Sequence, residues 1–518
     1  VLQAPREQVQ ARVRRGLRDP EFLPIPIAEN LGIEEVASIE ARAPEHPEFF
    51  ITVSQRRLYK RGMSAAHALG YLSEVSPEQL AKGGYRVGDW VGQKGIEESY
   101  EKLLAGTHGE RRVIVDSHGR EGAEEARTDA RPGENLFLTL DFDLQQVAED
   151  FLRDKVGACV ALDPKTGEIL VLVSSPSYDP NWFRRRVTKK EWDGLIGDAR
   201  HPLQNRTIQN QFAPGSVFKI FEAYGALAKG LVNPEEKIFC PGYATFYGRT
   251  FKCHRKDGHG WVGLRDAIKM SCDVYFYNLG RRLGIDRIAE IAKGFGLGEP
   301  TGVDLAYEKS GNVPSEEWAR TKRGARWYPS ETISVAIGQG PVLVTPIQIA
   351  RALSGLIEGG RLPTPHLFFA SQDPGTGEKL RYKSEGKQGL ALEPEKAAIV
   401  KDAMWAVLNE PGGTAFSQHV PGVAAGGKTG TVQVVGRETN ENLPKSKRVE
   451  DHAWFVGFAP VDDPQIVVVV FVEHGGHGNL AAAPLARAIF EKRFGHEPAG
   501  EPGKSGLVRA GNREAGAR

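Results

Sequence analysis

The sequence predicts an α+β protein made of two domains and a short tail. Three observations predict it. A turn cluster, Arg131-Pro132-Gly133-Glu134-Asn135, separates a polar, punctuated stretch from a longer and more apolar one. Beyond it, strand patterns at 157–174 and 430–473 flank a block of helical patterns. From about residue 497 the chain is rich in Gly, Pro and charge, the composition of a disordered tail. The domains are therefore placed at 1–135 and 136–496, with the tail at 497–518.

The totals bound the function. The chain has 518 residues, 40% hydrophobic and 26% charged, with a net charge of +1. That balance gives no argument for nucleic acid as a partner. The longest apolar run, 466–472, is too short to span a bilayer and, being Val-rich, reads as a buried strand. The cysteines are Cys159, Cys240, Cys253 and Cys272. Three of them share one short region, which is not the spread of a disulfide scaffold.

In chain order, 6–18 is an Arg-rich helix and 24–27, Pro-Ile-Pro-Ile, is extended. Ser76-Pro77-Glu78-Gln79 caps a short helix, 94–104 is another, and 111–115 is a strand. No constellation of His, Cys or paired carboxylates marks chemistry here, so the first domain reads as a support or interaction domain. A strand at 136–140 and a helix at 143–152 follow. A hairpin of strands 157–162 and 168–174 turns at Asp163-Pro164-Lys165-Thr166-Gly167, with Cys159 in its core pattern. The stretch 178–200 reads as a charged loop, a solvated face or a contact for anionic lipid or glycan polymer. Helical patterns cover 217–229, 263–283, 345–356 and 394–408. Strands at 430–435, 453–459 and 465–473 and a helix at 481–493 close the fold.

Chemistry concentrates at Gln211-Phe212-Ala213-Pro214-Gly215-Ser216-Val217-Phe218-Lys219-Ile220. Pro-Gly ends what precedes, and Ser216 opens a helix that stops at Gly230. Ser216 and Lys219 are three apart and share a face. The helix is apolar almost all round, so Lys219 is buried, and burial disfavours its ammonium and makes it a candidate base. Ser216 sits where unpaired N–H groups favour a developing negative charge. A serine nucleophile, a lysine base and an anion site are the equipment of acyl transfer through a covalent intermediate. S-x-x-K alone is a weak pattern. It recurs at Ser99–Lys102 and Ser384–Lys387, both in polar surroundings.

Two patterns downstream add weight. Lys428-Thr429-Gly430-Thr431 enters an apolar strand, where glycines let a substrate backbone approach and a lysine with hydroxyls grips a carboxylate. Ser271 and Asp273 flank Cys272 and face a cleft together if the backbone turns tightly there. Lys165-Thr166-Gly167 also reads K-T-G, but it lies in a hairpin turn and is structural. Ser310-Gly311-Asn312 and Ser177-Tyr178-Asp179 match the middle pattern only loosely.

With these three motifs in order, Ser216-Val217-Phe218-Lys219, Ser271-Cys272-Asp273 and Lys428-Thr429-Gly430, the chain resembles the penicillin-binding proteins, which carry S-x-x-K, S-D-N and K-T-G together. Leu138-Thr139-Leu140-Asp141, Gly338-Gln339-Gly340, Thr345-Pro346 and Trp454-Phe455-Val456-Gly457 agree. So do 65–71 and 92–100, which look like the pedestal of class B members. Within the family it is most similar to the penicillin-binding protein 2 group of the elongation machinery. The resemblance implies a five-stranded antiparallel sheet with helices on both sides, a helical subdomain and an N-terminal α+β pedestal. It implies a peptidoglycan D,D-transpeptidase acting on stem peptides and acylated by β-lactams. Ser216 would be the nucleophile and Lys219 its base, with Ser271 and Lys428 relaying a proton to the leaving amine. The N–H groups of Ser216 and Thr431 would form the oxyanion hole, and Thr429 and Thr431 would hold the terminal carboxylate. Partners implied are a RodA-type SEDS glycosyltransferase and an MreC-like scaffold, both through the pedestal.

Two departures stand out. Position 273 is Asp where the commonest pattern has Asn, and a carboxylate there favours a charged Lys219. The resemblance implies a membrane helix and an opening signature that this sequence starts after. The resemblance therefore implies a single-pass anchor in the inner membrane, preceding this sequence, with catalysis on the periplasmic face. A β-lactamase is half this length and has no pedestal. A D,D-carboxypeptidase and a non-catalytic β-lactam sensor remain as alternatives.

Cys240, Cys253, His259 and Cys272 read C-x12-C-x5-H-x12-C, three thiolates and an imidazole that suit a tetrahedral structural Zn²⁺. If Ser271 and Asp273 face the cleft, Cys272 faces inward toward the Cys240–Cys253 loop. His254 and Asp257 are alternative fourth ligands. A Cys240–Cys253 disulfide and three unrelated thiols are the other readings.

Overall fold

The computed structural model of the protein describes residues 6–17, 25–28, 31–46, 49, 51–52, 57–115, 121–185, 187–434 and 449–495. The predicted tail, Pro24 and Val435 lie outside these. By packing, the chain falls into two compact units, Val1–Leu58 and Tyr59–Arg518. The first carries the predicted Arg-rich helix, Arg6–Gly16, and a second helix, Ile33–Glu40.

The second unit is built on one five-stranded antiparallel sheet. Its strands are β1 (Gly157–Leu162), β2 (Ile169–Ser175), β3 (Gly426–Val432), β4 (His452–Ala459) and β5 (Ile466–Val472), in the spatial order β3-β4-β5-β1-β2. The Val-rich run of β5 is central and buried on both faces, which is why it does not alternate with polar residues. Ile466, Val468 and Val470 pack with α1 (Phe142–Leu152) and the closing helix Ala483–Phe494. Val467, Val469 and Phe471 face a second core holding the helices Lys219–Ala228 and Pro346–Ile357. Cys159 lies in the first core, fully buried.

Capping residues place several helices where the sequence put them. Ser76 and Gln79 form a reciprocal cap on Pro77–Ala81, and Thr345 and Gln348 do so on Pro346–Ile357. Other segments differ. The helix predicted over 94–104 is two short ones, Gly95–Ser99 and Glu101–Leu104, broken at Tyr100, whose hydroxyl donates to Asp304 Oδ2 at 2.9 Å. Asp304 also accepts from the N–H groups of Leu367 and Phe368, so this break docks residues near 100 onto the sheet-bearing part. The charged stretch 178–200 is not a plain loop. It holds a 3-10 turn, Pro180–Arg184, and a helix, Lys189–Ile196, capped reciprocally by Thr188 and Glu191. Charge density hid that cap from the sequence reading.

Candidate active site

The segment after Pro214 is a 3-10 turn, Gly215–Phe218, that runs straight into α2 (Lys219–Ala228). The α-helix proper thus begins at Lys219, two residues later than predicted, and Ser216 rides on the tighter turn before it. Gly215 has φ +57°, and its N–H donates to Gly338 O at 2.8 Å. Gly338 has φ +71°, and a Cβ there would lie 2.1 Å from Gly215 O. The turn that presents Ser216 is seated on a second glycine from a distant loop. Ser216 is half-buried, and Lys219 is wholly buried.

The helix predicted over 263–283 is interrupted. It forms α3 (Leu264–Lys269) and α4 (Asp273–Leu283), and Ser271 between them adopts φ +57°. This left-handed residue is the tight turn that the pairing of Ser271 with Asp273 required. Both side chains reach Lys219, while Cys272 joins Cys240, Cys253 and His259. Lys219 Nζ donates to Asp273 Oδ1 at 2.6 Å, to Ser271 O at 3.0 Å and to Ser271 Oγ at 3.3 Å. Lys428 Nζ, from β3, donates to the same Ser271 Oγ at 2.9 Å and to Thr429 O at 2.9 Å.

Two fully buried lysines therefore share one hydroxyl, and only Lys219 bonds the Asp273 carboxylate. Two ammonium groups cannot share a single buried carboxylate without leaving a charge uncompensated. Lys219 takes the carboxylate. Burial, and then the charge of Lys219, push Lys428 well below the usual lysine range, with Asp273 pulling the other way. Burial alone would raise Asp273. The Lys219 ammonium and the hydrogen bond and charge of His254 outweigh it and hold the carboxyl below its ordinary value.

β3 is an edge strand, paired with β4 on one side and with no strand on the other among the described residues. Gly430 has a different physical reason from the one expected. A Cβ there would fall 2.9 Å from Trp454 Cβ and 3.1 Å from Val217 Cγ1. The missing side chain lets β3 press against the Ser216 turn. Trp454 Nε1 donates to Ala213 O at 3.1 Å and holds the same turn from below. Thr429 Oγ1 donates to Thr414 Oγ1 at 2.7 Å, and Thr431 is half-buried on the strand. Ser99, Ser384 and Lys165 lie elsewhere, on short surface elements and turns.

Cys240, Cys253, His259 and Cys272 converge, their ligand atoms all within 4.8 Å of one another. His259 Nδ1 lies 3.5 Å from Cys240 Sγ and 3.6 Å from Cys253 Sγ. All four cysteines are free, so the Cys240–Cys253 bridge is not formed. His254 lies between this cluster and the carboxylate, its Nδ1 3.9 Å from Cys253 Sγ, and with Cys253 and Asp273 it forms a second group of possible ligands. Its N–H donates to Asp273 Oδ2 at 2.8 Å and its Nδ1 lies 3.5 Å from that oxygen. Sequence reasoning gave His254 only as a spare ligand and did not find Thr414 at all. Neither sits in a motif, and only the folded loops bring them to the site.

Comparison with known proteins gives the family. The family model described as penicillin binding protein transpeptidase domain matches residues 157–491, and the one described as penicillin-binding protein dimerisation domain matches residues 1–138. The chain is a class B penicillin-binding protein. Peptidoglycan D,D-transpeptidase MrdA of Acinetobacter baumannii is 37% identical over 94% of this chain and 74% of its own length. Penicillin-binding protein 2 of Helicobacter pylori, solved in complex with MreC, superposes with a TM-score of 0.78. It is 27% identical over 95% of this chain and 92% of that one. A chain of a peptidoglycan synthase complex, solved for how it coordinates polymerization and crosslinking, superposes with a TM-score of 0.77. It is 32% identical over 96% of this chain and 87% of that one. Among the described residues no helix is long and apolar enough to cross a membrane.

Proposed function

We infer that this class B penicillin-binding protein is an elongation-type, serine peptidoglycan D,D-transpeptidase, cross-linking stem peptides through an acyl-enzyme on Ser216. One observation carries the mechanism: Lys219 and Lys428, from a helix and a strand far apart in sequence, both donate to Ser271 Oγ. A proton can pass from Lys219 through the Ser271 hydroxyl to Lys428. That leaves Lys219 neutral and Lys428 charged.

Ser216 Oγ then attacks the penultimate D-Ala carbonyl and gives its proton to Lys219. The N–H groups of Ser216 and Thr431 receive the oxyanion. As the C–N bond breaks, the leaving D-Ala nitrogen takes a proton from Ser271, which is refilled by Lys428. The resting protonation is restored and an ester remains on Ser216. An amine from a second stem attacks that ester, loses a proton through Ser271 to Lys428, and Lys219 returns one to Ser216 Oγ. Thr429, Gly430 and Thr431 hold the donor peptide along β3, its carboxylate against the two hydroxyls. No organic cofactor is needed for this chemistry. Labelled penicillin followed by peptide mapping tests the assignment. The label belongs on the peptide holding Ser216, and a Ser216→Ala protein that still labels overturns it. Product analysis with stem-peptide substrate separates cross-linked dimer from the trimmed peptide of a carboxypeptidase and from the bare acyl adduct of a sensor.

The finer assignments rest on the same reading. The catalytic domain is placed at 136–496 and the pedestal at 1–135. The pedestal contacts a SEDS glycosyltransferase and an MreC-like scaffold, and a single-pass anchor holds the protein at the outer face of the inner membrane. The H. pylori relative solved with MreC supports the scaffold contact. A structural zinc on Cys240, Cys253, His259 and Cys272 fits the side chains. Tetrahedral Zn–S and Zn–N bonds of about 2.3 and 2.0 Å require sulfur and nitrogen roughly 3.6 Å apart, against 3.5 and 3.6 Å found. Such a metal would fix the turn that carries Ser271 and Asp273 and take no part in acyl transfer. Elemental analysis paired with a thiol count in denaturant decides it. One zinc and four free thiols per chain is the expected result, and two thiols with substoichiometric metal overturns it.

A further inference from the structure

The segment that carries Cys240 and Cys253 has an outer surface that the acyl-transfer mechanism does not use. It consists of two short antiparallel pairs, Ile238–Cys240 with Gly260–Val262 and Tyr243–Phe246 with Arg249–Lys252. Strand alternation sends Cys240 and Val262 inward, where both are buried, and sends Phe239 and Trp261 outward. These two residues are direct cross-strand partners with ring centroids 5.4 Å apart. They stay 51% and 67% exposed, and Tyr243 and Tyr247 are exposed beside them in sequence. Single exposed apolar side chains need no explanation, but a paired aromatic platform on three-residue strands does.

Charge and position say what it meets. Residues 237–261 hold five Lys and Arg against one Asp, a local balance of +4 in a chain whose total is +1. An interface core for another protein is depleted in lysine, whereas here cations such as Lys252 and Lys237 alternate with the rings. The same segment is bonded to the catalytic carboxylate through the His254 N–H, 2.8 Å from Asp273 Oδ2. The platform therefore belongs to a segment that the catalytic carboxylate itself holds.

We propose that Phe239 and Trp261 form a stacking platform for the glycan strand of the peptidoglycan substrate, with the surrounding cations facing the carboxylates of its stem peptides. The proposal rests on the transpeptidase reading above. Only the terminal dipeptide of a stem enters the Ser216 cleft, so the polymer that carries it must lie across the adjoining surface. The face of an aromatic ring is electron-rich and attracts the polarised C–H groups of a sugar, while its edge tolerates water.

The test uses the full chain and two readouts, affinity for short uncross-linked peptidoglycan strands and the rate of acylation by labelled penicillin. Trp261→Ala is expected to weaken strand binding about tenfold and to leave penicillin acylation unchanged, because penicillin does not reach the platform. Trp261→Tyr keeps a ring and is expected to stay within roughly threefold of the unaltered chain. If Trp261→Ala also slows acylation, Phe239→Ala takes its place with the same two expected results. Strand affinity that is unchanged when either ring is removed overturns the proposal. So does a loss that appears with anionic lipid vesicles and not with strands, since a bilayer surface would also recognise aromatic rings among cations. Failure of the transpeptidase reading looks different, as absence of Ser216 acylation in the unaltered chain.

Discussion

Asp273 Oδ1 lies 2.6 Å from Lys219 Nζ, and this buried pair sets the resting charge of the whole site. It engages Lys219, whose other hydrogen bonds are both to Ser271 and whose Nζ lies 5.3 Å from the Phe276 ring centroid. In the proposed mechanism, Lys219 serves as base once a proton has moved along Ser271 toward Lys428.

Asp273→Asn tests that dependence. Removing the carboxylate removes the counter-charge that favours a protonated lysine pair. The ascending limb of the acylation rate against pH is expected to move to lower pH by about one unit or more. Penicillin acylation measured from pH 5 to 9 checks it. A limb that stays in place would mean that Asp273 only supports the turn.

Lys428 offers a test through stability. Its folded-state value is depressed by burial first and by Lys219 second, while in the unfolded chain it is ordinary. The unfolded state thus binds the extra proton, and stability is lost as pH falls below the usual lysine range. Lys428→Met removes that loss while keeping much of the volume. The variant should lose acylation by three or more orders of magnitude, roughly as for other residues that act as a unit. Its thermal midpoint should rise relative to the unaltered chain, more at pH 7 than at pH 10. An equal difference at the two pH values contradicts a neutral buried lysine.

Much of this was legible before any coordinates. The buried setting of Lys219 followed from an apolar helix, and the strand Ile466–Val472 from its Val-rich run, whereas the strand expected at 430–435 runs from Gly426 to Val432 and takes in Lys428. The break at Ser271 was legible as a condition, because Ser271 and Asp273 cannot both face Lys219 unless the chain turns between them. What was not legible depends on distance in sequence. Gly338 supports Gly215, and Thr414 meets Thr429, through loops whose local patterns carry no chemical mark. Gly430 was legible as glycine but not for its reason, which is the bulk of Trp454 and Val217.

Thr414 deserves its own test because it orients a hydroxyl of the K-T-G strand. Its N–H donates to Lys269 O at 3.2 Å, so it links α3, which leads into Ser271, to β3. Thr414→Val leaves Thr429 Oγ1 without that partner, a loss on the order of 1 kcal/mol. If Thr429 holds the donor carboxylate, KM for a stem-peptide donor should rise about fivefold with kcat nearly unchanged. Thr414→Ser should restore it. A fall in kcat alone would place Thr414 outside donor binding.

His67 makes the remaining prediction, about acid stability. It lies on the short helix Ala66–Leu69, its ring edge-on to Tyr178 at 5.2 Å and its Nε2 2.8 Å from Pro202 O. Burial lowers it to about 4, the Pro202 hydrogen bond opposing and the charge of Arg206 assisting. A neutral ring is therefore what the fold accepts, whereas the unfolded chain protonates near the ordinary value of 6.5. The unfolded state gains the proton first as pH falls. The contribution is fully present above about pH 6.5 and is lost as pH drops toward the folded value. The gap amounts to on the order of 3 kcal/mol. His67→Gln keeps a donor for Pro202 and cannot titrate. Denaturant unfolding at pH 7.5 and 4.5 should show the unaltered chain losing more stability than the variant, by a large part of that amount. Equal losses would mean that His67 is already protonated in the fold, and that its ring is not the acid-sensitive contact between residues near 67 and the loop at 202.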